Sequence, residues 1–355
     1  MKENKIYRAI GLMSGTSLDG VDAALIETDG HDVLRHLDFV SKSYPDELRG
    51  RLREYLGARM LTPEIEGIEK DMTLFHAALA SELGAADLIG FHGQTLAHDP
   101  AVNFTWQIGD GALLAAQTGI DVVNDFRSAD MEAGGQGAPF LPLYHAAIAK
   151  NKNIQNAAFL NIGGVSNFTF VGKSDDDILA FDCGPGNALM DDFIAARSDK
   201  KFDEDGEMAA SGEVDMDLVE MWLNHSYFKK PAPKSLDRDE WDVSAAELLF
   251  TRDGLATLLE FTAQTIAKGL DIMPVPPEIV LVSGGGRRNV ALMNRLADLM
   301  PCPVRSIEEI GCNGDATEAE GFAYLAVRSL LGLPLSLPTT TGVPEPMTGG
   351  VLYKF

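Results

Sequence analysis

The segment Gly11–Glu27, GLMSGTSLDGVDAALIE, constrains the fold most strongly, because an apolar strand breaks into a polar turn and then returns to apolar residues. An Asp-Gly pair between two hydrophobic runs predicts a β-hairpin, since glycine adopts positive φ without steric cost. A minimal hairpin loop needs only about two residues, whereas this connection is longer and carries three hydroxyls and a carboxylate. Backbone N–H groups freed by glycine, with short hydroxyls, suit phosphate oxygens. A plain turn and a phosphate-binding loop both fit the segment.

The chain repeats this opening in its second half. Residues 157–172, AAFLNIGGVSNFTFVG, again read as strand, Gly-containing turn and strand. Strand-like and helix-like segments alternate elsewhere, which predicts an α/β fold. Because 355 residues are too many for one ordinary core, we expect two domains, residues 1–135 and residues 136–339, with the tail 340–355 packing back on the first. The Gly-rich segment 131–139, MEAGGQGAP, is predicted to link them.

Composition argues against several classes of protein. The net charge of -24 disfavours unspecific binding of nucleic acid, whose phosphates require Lys and Arg. Cys183, Cys302 and Cys312 are widely spaced and predict neither a disulfide framework nor a zinc site. The beginning MKENKIYRAI does not resemble a signal peptide, and no apolar run reaches the ~18 residues of a membrane span. We therefore expect a cytoplasmic protein with no membrane partner.

Three Gly-rich turns each follow a predicted strand: MSGTSLDG, FDCGPGN and VSGGGRRN. One such turn is usually only a turn, but three at the carboxyl ends of strands favour a nucleotide held between domains. The common phosphate motifs are incomplete. The glycine that a Walker A motif requires five residues before Gly172 is Asn167, and the dinucleotide fingerprint lacks its third glycine.

Residues in and beside the Gly-rich turns each have two interpretations. Asp182 follows the apolar run Ile178–Phe181 and precedes glycines that expose it. A partly desolvated carboxylate at a strand end can act as a general base, but an aspartate there can also cap the next helix. Asp19 is either a turn residue or an aid to Mg²⁺ near a transferred phosphate. Asn161 and Gly163 belong to a plain hairpin or to a turn that lines a ligand cleft.

Four further polar residues are candidates for substrate binding. His92 and Gln94 follow a buried strand and can hydrogen-bond a sugar, although a lone histidine is more often structural. Arg127 suits a clamp on a carboxylate, and an ion pair is the equal alternative. Glu318 lies in the first turn of a predicted helix, where it could simply complement the helix dipole.

The order of these motifs resembles one family, anhydro-N-acetylmuramic acid kinase, a bacterial enzyme of cell-wall recycling. The resemblance covers essentially the whole chain and rests on GLMSGTSLDGVD, FHGQT, WQIGDG, NDFR, GGQGAP, NIGGVSN, DCGPGN, SGGGRRN and DATEAEGFA. Cys183 departs from the family's usual Asp-Thr-Gly-Pro-Gly-Asn stretch, a small-for-small change that we expect to be tolerated. The family varies around Arg287 and Arg288, so the resemblance assigns no adenine contact there.

The resemblance implies a two-domain actin-like ATPase fold of the hexokinase and Hsp70 type, a duplicated RNase H-like fold with an interdomain cleft. It also implies a homodimer that uses ATP with Mg²⁺ on the small-molecule substrate 1,6-anhydro-N-acetylmuramic acid. The product would be N-acetylmuramic acid 6-phosphate, with one water consumed. The alternative is an ordinary sugar or carboxylate kinase of the same fold, which phosphorylates a free hydroxyl. A nucleotide-switched binding protein is a third reading.

The resemblance further implies roles for individual residues. Asp182 resembles the catalytic base, and Asp19 would assist Mg²⁺ directly or through water. The residues that would bind the nucleotide are Gly15, Thr16, Ser17, Leu18, Asp19, Gly20, Val21, Asp22, Gly163, Gly164, Gly184, Gly186, Gly284, Gly285 and Asn289. The residues that would bind the sugar are His92, Gln94, Arg127, Asn161 and Glu318.

Overall fold

The computed structural model describes residues 5–174, 177–238 and 240–355. Its chain forms two compact units: the first runs through Asn153 and includes Ala316–Phe355, and the second is Ile154–Asp315. Both units contain a β-sheet with helices, so the predicted α/β class is confirmed. Residues 1–4, 175, 176 and 239, which the predicted domains include, lie outside the described part.

The first unit is built on one sheet, seven-stranded within the described residues. Its strands are β1 (Tyr7–Ser14), β2 (Gly20–Thr28), β3 (Val33–Ser43), β4 (Leu88–Asp99), β5 (Phe104–Ile108), β6 (Val122–Asn124) and β12 (Val351–Tyr353). The strand order is β12-β6-β4-β1-β2-β3, with β5 paired to β4. Strand β4 is parallel to β1 and β6, and the other pairs are antiparallel.

Helices of the first unit are α1 (Asp46–Glu54), α2 (Pro63–Glu82), α3 (Gly111–Thr118), α4 (Ser128–Glu132), α5 (Pro142–Asn151), α11 (Thr317–Leu330) and α12 (Pro338–Thr341). Local sequence explains α2: Thr62 caps it by accepting the Ile65 N–H, and Pro63 occupies its first turn. The sequence predicts a helix over residues 64–83 from the spacing of its apolar residues. The buried residues of α2, including Ile68 and Met72, recur at that helical spacing.

Helix α11 packs on the sheet of the first unit because two glycines allow its backbone to approach. A Cβ at Gly11 would lie 1.7 Å from Ala319 O, and one at Gly90 would lie 2.1 Å from Phe322 O. Any larger residue would force the helix off the sheet. This contact is the physical reason why residues from Ala316 onwards belong to the first unit rather than to the predicted second domain.

The sheet of the second unit has five strands among the described residues. They are β7 (Ala157–Ile162), β8 (Val165–Val171), β9 (Ile178–Pro185), β10 (Ile279–Ser283) and β11 (Val304–Ser306). Their order is β11-β10-β7-β8-β9, with β10 parallel to β7 and β11 and the other pairs antiparallel. Its helices are α6 (Ala188–Ala195), α7 (Glu207–Ala210), α8 (Met216–Leu223), α9 (Thr251–Gly269) and α10 (Val290–Leu299).

Short 3₁₀ helices connect these elements at Pro100–Val102, Glu204–Gly206, Ser226–Lys229, Ser244–Leu248, Leu270–Ile272, Gly285–Arg288 and Ile307–Ile310. Aromatic and aliphatic residues of β7–β10 and α9, including Phe168, Phe181 and Phe261, form the core of the second unit. In the described ranges no helix is long and apolar enough to cross a membrane.

Three local predictions differ from the structure. Strands predicted to end at Phe91 and Phe181 continue to Asp99 and Pro185, because ladder pairing carries them through polar and glycine residues. The segment 131–139, predicted to link two domains, lies inside the first unit. There the buried Asp130 carboxylate accepts the Gly137 N–H at 2.7 Å and fixes the turn.

Candidate active site

The polar turn between β1 and β2 is anchored by a leucine. The Leu18 N–H donates to Gly15 O at 3.1 Å, and Leu18 has φ +59° although it is not glycine. Its side chain is buried, and this burial offsets the cost of the left-handed conformation. Thr16 and Ser17, between these residues, are exposed. The turn therefore presents two hydroxyls to solvent from a fixed backbone.

Gln94 holds the start of this turn. Its side-chain carbonyl accepts the Ser14 hydroxyl at 2.6 Å, and its NH₂ donates to Gly15 O at 3.2 Å. The Tyr44 hydroxyl donates to Ser14 Oγ at 3.0 Å. Because Gln94 is fully buried, its amide positions the turn, and its predicted contact with the sugar stays a prediction.

The remaining residues of the turn differ in role. Gly20 is required by packing, since a Cβ there would lie 2.2 Å from Lys42 O. Val21 is a buried residue of β2. The Asp19 side chain is 76% exposed, and its carboxylate lies 3.4 Å from Arg49 Nη2. The Asp19 carboxylate is therefore exposed, has one long contact to Arg49, and can bind a cation.

A cluster of His92, Arg127 and Glu318 lies in the first unit. His92 Nδ1 is 2.9 Å from Gly93 O, and Arg127 Nε and Nη2 lie 3.1 and 3.0 Å from His92 Nε2. Because Arg127 must donate, Nε2 accepts and the proton of a neutral imidazole lies on Nδ1. Burial, and then the charge of Arg127, hold the pKa of His92 well below its usual value. His92 is therefore a neutral polar side chain at physiological pH.

Burial disfavours the charged forms of Arg127 and Glu318 in this cluster. Burial lowers the pKa of Arg127 to about 10, against the opposing effect of Glu318. Burial also raises the pKa of Glu318, and the Asp22 carboxylate raises it further. A half-buried cation beside half-buried carboxylates can bind an anionic group and sugar hydroxyls together. The structure thus brings together three of the five predicted sugar-binding residues.

Asp182 lies in β9 of the second unit and is held by a segment distant in sequence. Its carboxylate accepts the Leu236 N–H at 2.8 Å, and its own N–H donates to Lys234 O at 2.9 Å. The Tyr227 hydroxyl donates to Asp182 O at 2.7 Å. Burial raises the pKa of Asp182 to about 7, against the lowering effects of the Leu236 N–H and Lys234. A carboxyl group whose pKa lies near neutral pH suits a general base.

The alternative reading of Asp182 as a helix cap is wrong. The next helix, α6, begins after Asn187, and no side-chain cap bond precedes it. The Asp182 carboxylate is instead bonded to Leu236. Sequence reasoning missed Tyr227, Lys234 and Leu236, because they form no recognisable motif and reach Asp182 only through the fold.

Glycines of the second unit fall into two groups. A Cβ at Gly163, Gly164 or Gly285 would meet nothing closer than 3.5 Å. These three positions leave open space beside the backbone, which an oxygen-rich ligand can approach. The others are needed for packing: a Cβ would lie 2.2 Å from Thr265 Oγ1 at Gly184, 2.2 Å from Gly163 O at Gly186 and 2.4 Å from Asn161 Oδ1 at Gly284. The open glycines fit a phosphate chain, and the packed ones shape the turns.

Asn289, predicted to bind nucleotide, and Arg287, to which no contact was assigned, both have structural partners in these turns. The side-chain oxygen Oδ1 of Asn289 accepts the Leu292 N–H at 3.0 Å and caps α10. Arg287 is fixed by Glu308 at 2.8 Å and by Asp315 at 2.9 Å. Both residues hold the turn in place, and a contact of Asn289 with nucleotide stays a prediction. Across residues 5–174, 177–238 and 240–355 no group of three or more His, Cys, Asp or Glu could by itself hold a metal ion.

Comparisons with known proteins identify relatives. The family model for anhydro-N-acetylmuramic acid kinase matches residues 7–355. The chain is 48% identical over 352 residues to the anhydro-N-acetylmuramic acid kinase of Rhodospirillum rubrum, covering 97% of this chain and 94% of that protein. It is 50% identical over 353 residues to the enzyme of the same name from Paramagnetospirillum magneticum, covering 96% and 98%.

Among solved structures, the chain has a weaker likeness to a ROK family glucokinase from Streptomyces griseus in complex with glucose and AMPPNP. The sequence identity is 15%, the match covers 90% of this chain and 99% of that one, and the TM-score is 0.41. At this level the likeness carries no argument about activity.

Proposed function

The chain belongs to the anhydro-N-acetylmuramic acid kinase family, and from that premise we propose how its residues carry out the reaction. The chain is a phosphotransferase that acts on an alcohol oxygen of 1,6-anhydro-N-acetylmuramic acid, with ATP as the donor. In the proposed reaction water attacks C1, the C1–O6 bond breaks, and O6 takes the γ-phosphoryl group. The products are N-acetylmuramic acid 6-phosphate and ADP.

The environment of Asp182 carries this proposal. Its half-buried carboxylate has a pKa of about 7 and is oriented by the Leu236 N–H. In the ionised form it takes a proton from the attacking water. A glycosidase normally pairs such a base with an acid that protonates the leaving oxygen. Here the phosphoryl group captures O6, so one carboxylate suffices.

Sugar recognition is proposed for the cluster in the first unit. The Arg127 guanidinium suits the carboxylate of the substrate's lactyl group. The Glu318 carboxylate suits sugar hydroxyls or the acetamido N–H as an acceptor. Both ring nitrogens of His92 are engaged, by Gly93 O and by Arg127, so His92 would position the guanidinium, and its own contact with the sugar stays a prediction. The family resemblance also assigns Gln94 and Asn161 to the sugar. Gln94 is fully buried and Asn161 is partly exposed, so Asn161 is the more accessible of the two to a ligand.

Phosphate binding is proposed for the Gly-rich turns, where Thr16, Ser17 and the backbone at Gly163, Gly164 and Gly285 lack close packing partners. Asp19 would hold Mg²⁺, directly or through water, because Mg²⁺ binds few protein carboxylates and keeps substrate phosphates and waters as its other ligands. When bound, Mg²⁺ would offset charge on the phosphate oxygens.

We further propose a homodimer in the cytoplasm. The family resemblance supports the dimer, and the acidic composition, with 53 Asp and Glu against 29 Lys and Arg, argues against a nucleic acid partner. Light scattering after size exclusion distinguishes a dimer from the 38.2 kDa monomer.

ADP release by the purified chain with Mg-ATP tests the activity. We expect release with 1,6-anhydro-N-acetylmuramic acid and none with N-acetylmuramic acid. In ¹⁸O-labelled water, the label should appear at C1 of the product. Equal release with both sugars and no label at C1 would instead indicate an ordinary hydroxyl kinase. Release that ignores sugar would indicate a nucleotide switch.

A further inference from the structure

A basic cavity of about 280 Å³ lies in the second unit. Three lysines line it, Lys229, Lys234 and Lys268, together with His225 and a single carboxylate, Asp271. The chain as a whole has 53 acidic and 29 basic residues, so this wall reverses the charge balance of the molecule. Concentrated positive charge in a concave site attracts anions.

Lys234 is the innermost of these lysines and is only 6% exposed. Its ammonium donates to Tyr227 O at 3.3 Å and lies 4.4 Å from the centre of the Tyr227 ring. An ammonium has three donors, and a single long hydrogen bond leaves it poorly satisfied. Within the described residues no carboxylate forms an ion pair with Lys229, Lys234 or Lys268. The cavity therefore holds lysine ammonium groups that have no anionic partner among the described residues.

We propose that this cavity binds a phosphate group, either as inorganic phosphate or as the phosphate monoester of a small metabolite. Lysine ammonium groups bind phosphate as point charges, and the Thr265 hydroxyl adds a polar group to the wall. The volume exceeds the needs of a lone phosphate and approaches the ~300 Å³ at which small-molecule pockets begin. The binding of phosphate concerns the second unit alone and does not depend on the proposed function, whereas its effect on the candidate base rests on that function.

The same segment walls the cavity and holds the candidate base. Tyr227 and Lys234 bond the backbone of Asp182, and Leu236 bonds its carboxylate. Cys183, the neighbour of Asp182, lines the cavity. A phosphate in the cavity would neutralise charge that Lys234 presents to Asp182. A phosphorylated product bound there would therefore raise the pKa of Asp182, lower its ionised fraction and slow the reaction that it catalyses.

Calorimetric titration of the full chain with inorganic phosphate tests the site. The chain is first saturated with ADP and Mg²⁺, so that the nucleotide-binding turns are occupied, and chloride keeps the ionic strength constant. We expect one phosphate per chain. Lys229→Met and Lys268→Met should each weaken binding about tenfold or more, the usual result of deleting one charge-assisted hydrogen bond. Both lysines are exposed at the rim, so the variants should fold, as circular dichroism can verify.

Matched variants sharpen the result. Lys201→Met removes an exposed lysine that does not line the cavity and should leave binding unchanged, whereas Lys268→Arg keeps the charge and should retain it. Binding that survives in the Lys229→Met, Lys268→Met double variant, or that ADP abolishes, overturns the proposal. A parallel titration with N-acetylmuramic acid 6-phosphate separates the sources. Binding that is tighter than that of phosphate and is weakened by Lys229→Met and Lys268→Met assigns the cavity to a sugar phosphate, whereas binding that these two variants leave unchanged assigns the cavity to free phosphate. No turnover is needed, so a failure here is separate from a failure of the kinase assignment.

Discussion

In the first unit the strands lie in the order β3-β2-β1-β4-β6, and in the second they lie in the order β9-β8-β7-β10-β11. Three antiparallel strands are followed by two parallel ones in both sheets. The corresponding first turns nevertheless differ. Five residues, Gly15–Asp19, join β1 to β2, but only Gly163 and Gly164 join β7 to β8. One topological position thus serves a hydroxyl-bearing loop in one unit and a bare glycine turn in the other.

The third strands of the two units, β3 and β9, differ more than these turns do. Asp182 in β9 is half-buried and tethered by the segment from Tyr227 to Leu236. Asp38 in β3 is exposed and accepts a hydrogen bond from the neighbouring Phe39 N–H. The comparison teaches that strand position alone does not make a base. Burial raises the pKa of Asp182 to about 7, although the Leu236 N–H and Lys234 of the distant segment oppose that rise, and the Leu236 N–H fixes the orientation of the carboxylate.

The largest expected effect comes from removing the Asp182 carboxylate. Asp182→Asn should lower kcat by about 10²–10⁴-fold, the usual contribution of a general base, while ATP and sugar still bind. Asp38→Asn, on the third strand of the first unit, is the matched control and should keep full activity. Steady-state kinetics and calorimetry check both. Near-normal turnover in Asp182→Asn would refute its role as base.

The pH profile of the unmodified chain tests the tuning itself. Asp182 must be ionised to accept a proton, so activity should fall as pH drops below its pKa of about 7. The ionised fraction then decreases about tenfold per pH unit well below that value. Rates measured from pH 5 to 9 should show this limb. A profile flat down to about pH 5 would indicate an ordinary aspartate.

Arginines offer the next comparison between the units. Arg127 donates to neutral groups, His92 and Gly137, whereas Arg287 is paired with Glu308 and Asp315. Arg127→Met should raise the KM for sugar about tenfold or more, as expected for a lost hydrogen bond to a charged group, with a smaller effect on the KM for ATP. Arg287→Met should instead lower the melting temperature. An unchanged sugar KM in Arg127→Met would remove Arg127 from the sugar site.

Glycine substitutions give the smallest effects and separate open turns from packed ones. Gly186→Ala should cost about 1–3 kcal/mol of stability, because the added Cβ would lie 2.2 Å from Gly163 O. Gly163→Ala should leave stability nearly unchanged, since its nearest contact would be 3.7 Å, but it should weaken ATP binding. Thermal denaturation and nucleotide titration measure the two effects. Equal loss of stability in both variants would contradict the distinction.

The sequence predicted what depends on local pattern. The two hairpin openings, helix α2 and the α/β class follow from periodicity and turn residues, and the structure confirms them. It also singled out Asp182, because an aspartate between an apolar strand and glycines is a local signal. The ends of strands β4 and β9 were not predictable from local pattern, because ladder pairing outweighs the low β propensity of Gly93 and Gly184.

Contacts between distant segments were not predictable from one sequence. The Leu236 N–H lies 54 residues beyond the carboxylate that it orients, in a stretch with no motif. Gln94 looked like a ligand to sugar because polar residues follow an apolar run, but its partner Ser14 is 80 residues earlier. Which hydrogen bonds a polar side chain makes depends on the fold, whereas its chemistry is visible in the sequence.

The place of α11 against Gly11 and Gly90 has a consequence for synthesis on the ribosome. The second unit is one continuous segment, Ile154–Asp315, but the first needs residues from both ends of the chain. Its sheet is without the packing helix until Thr317–Leu330 has been made. The second unit can therefore fold while the first still waits for its helix, and a nascent chain that stalls before Thr317 leaves an apolar sheet face open to chaperones and proteases.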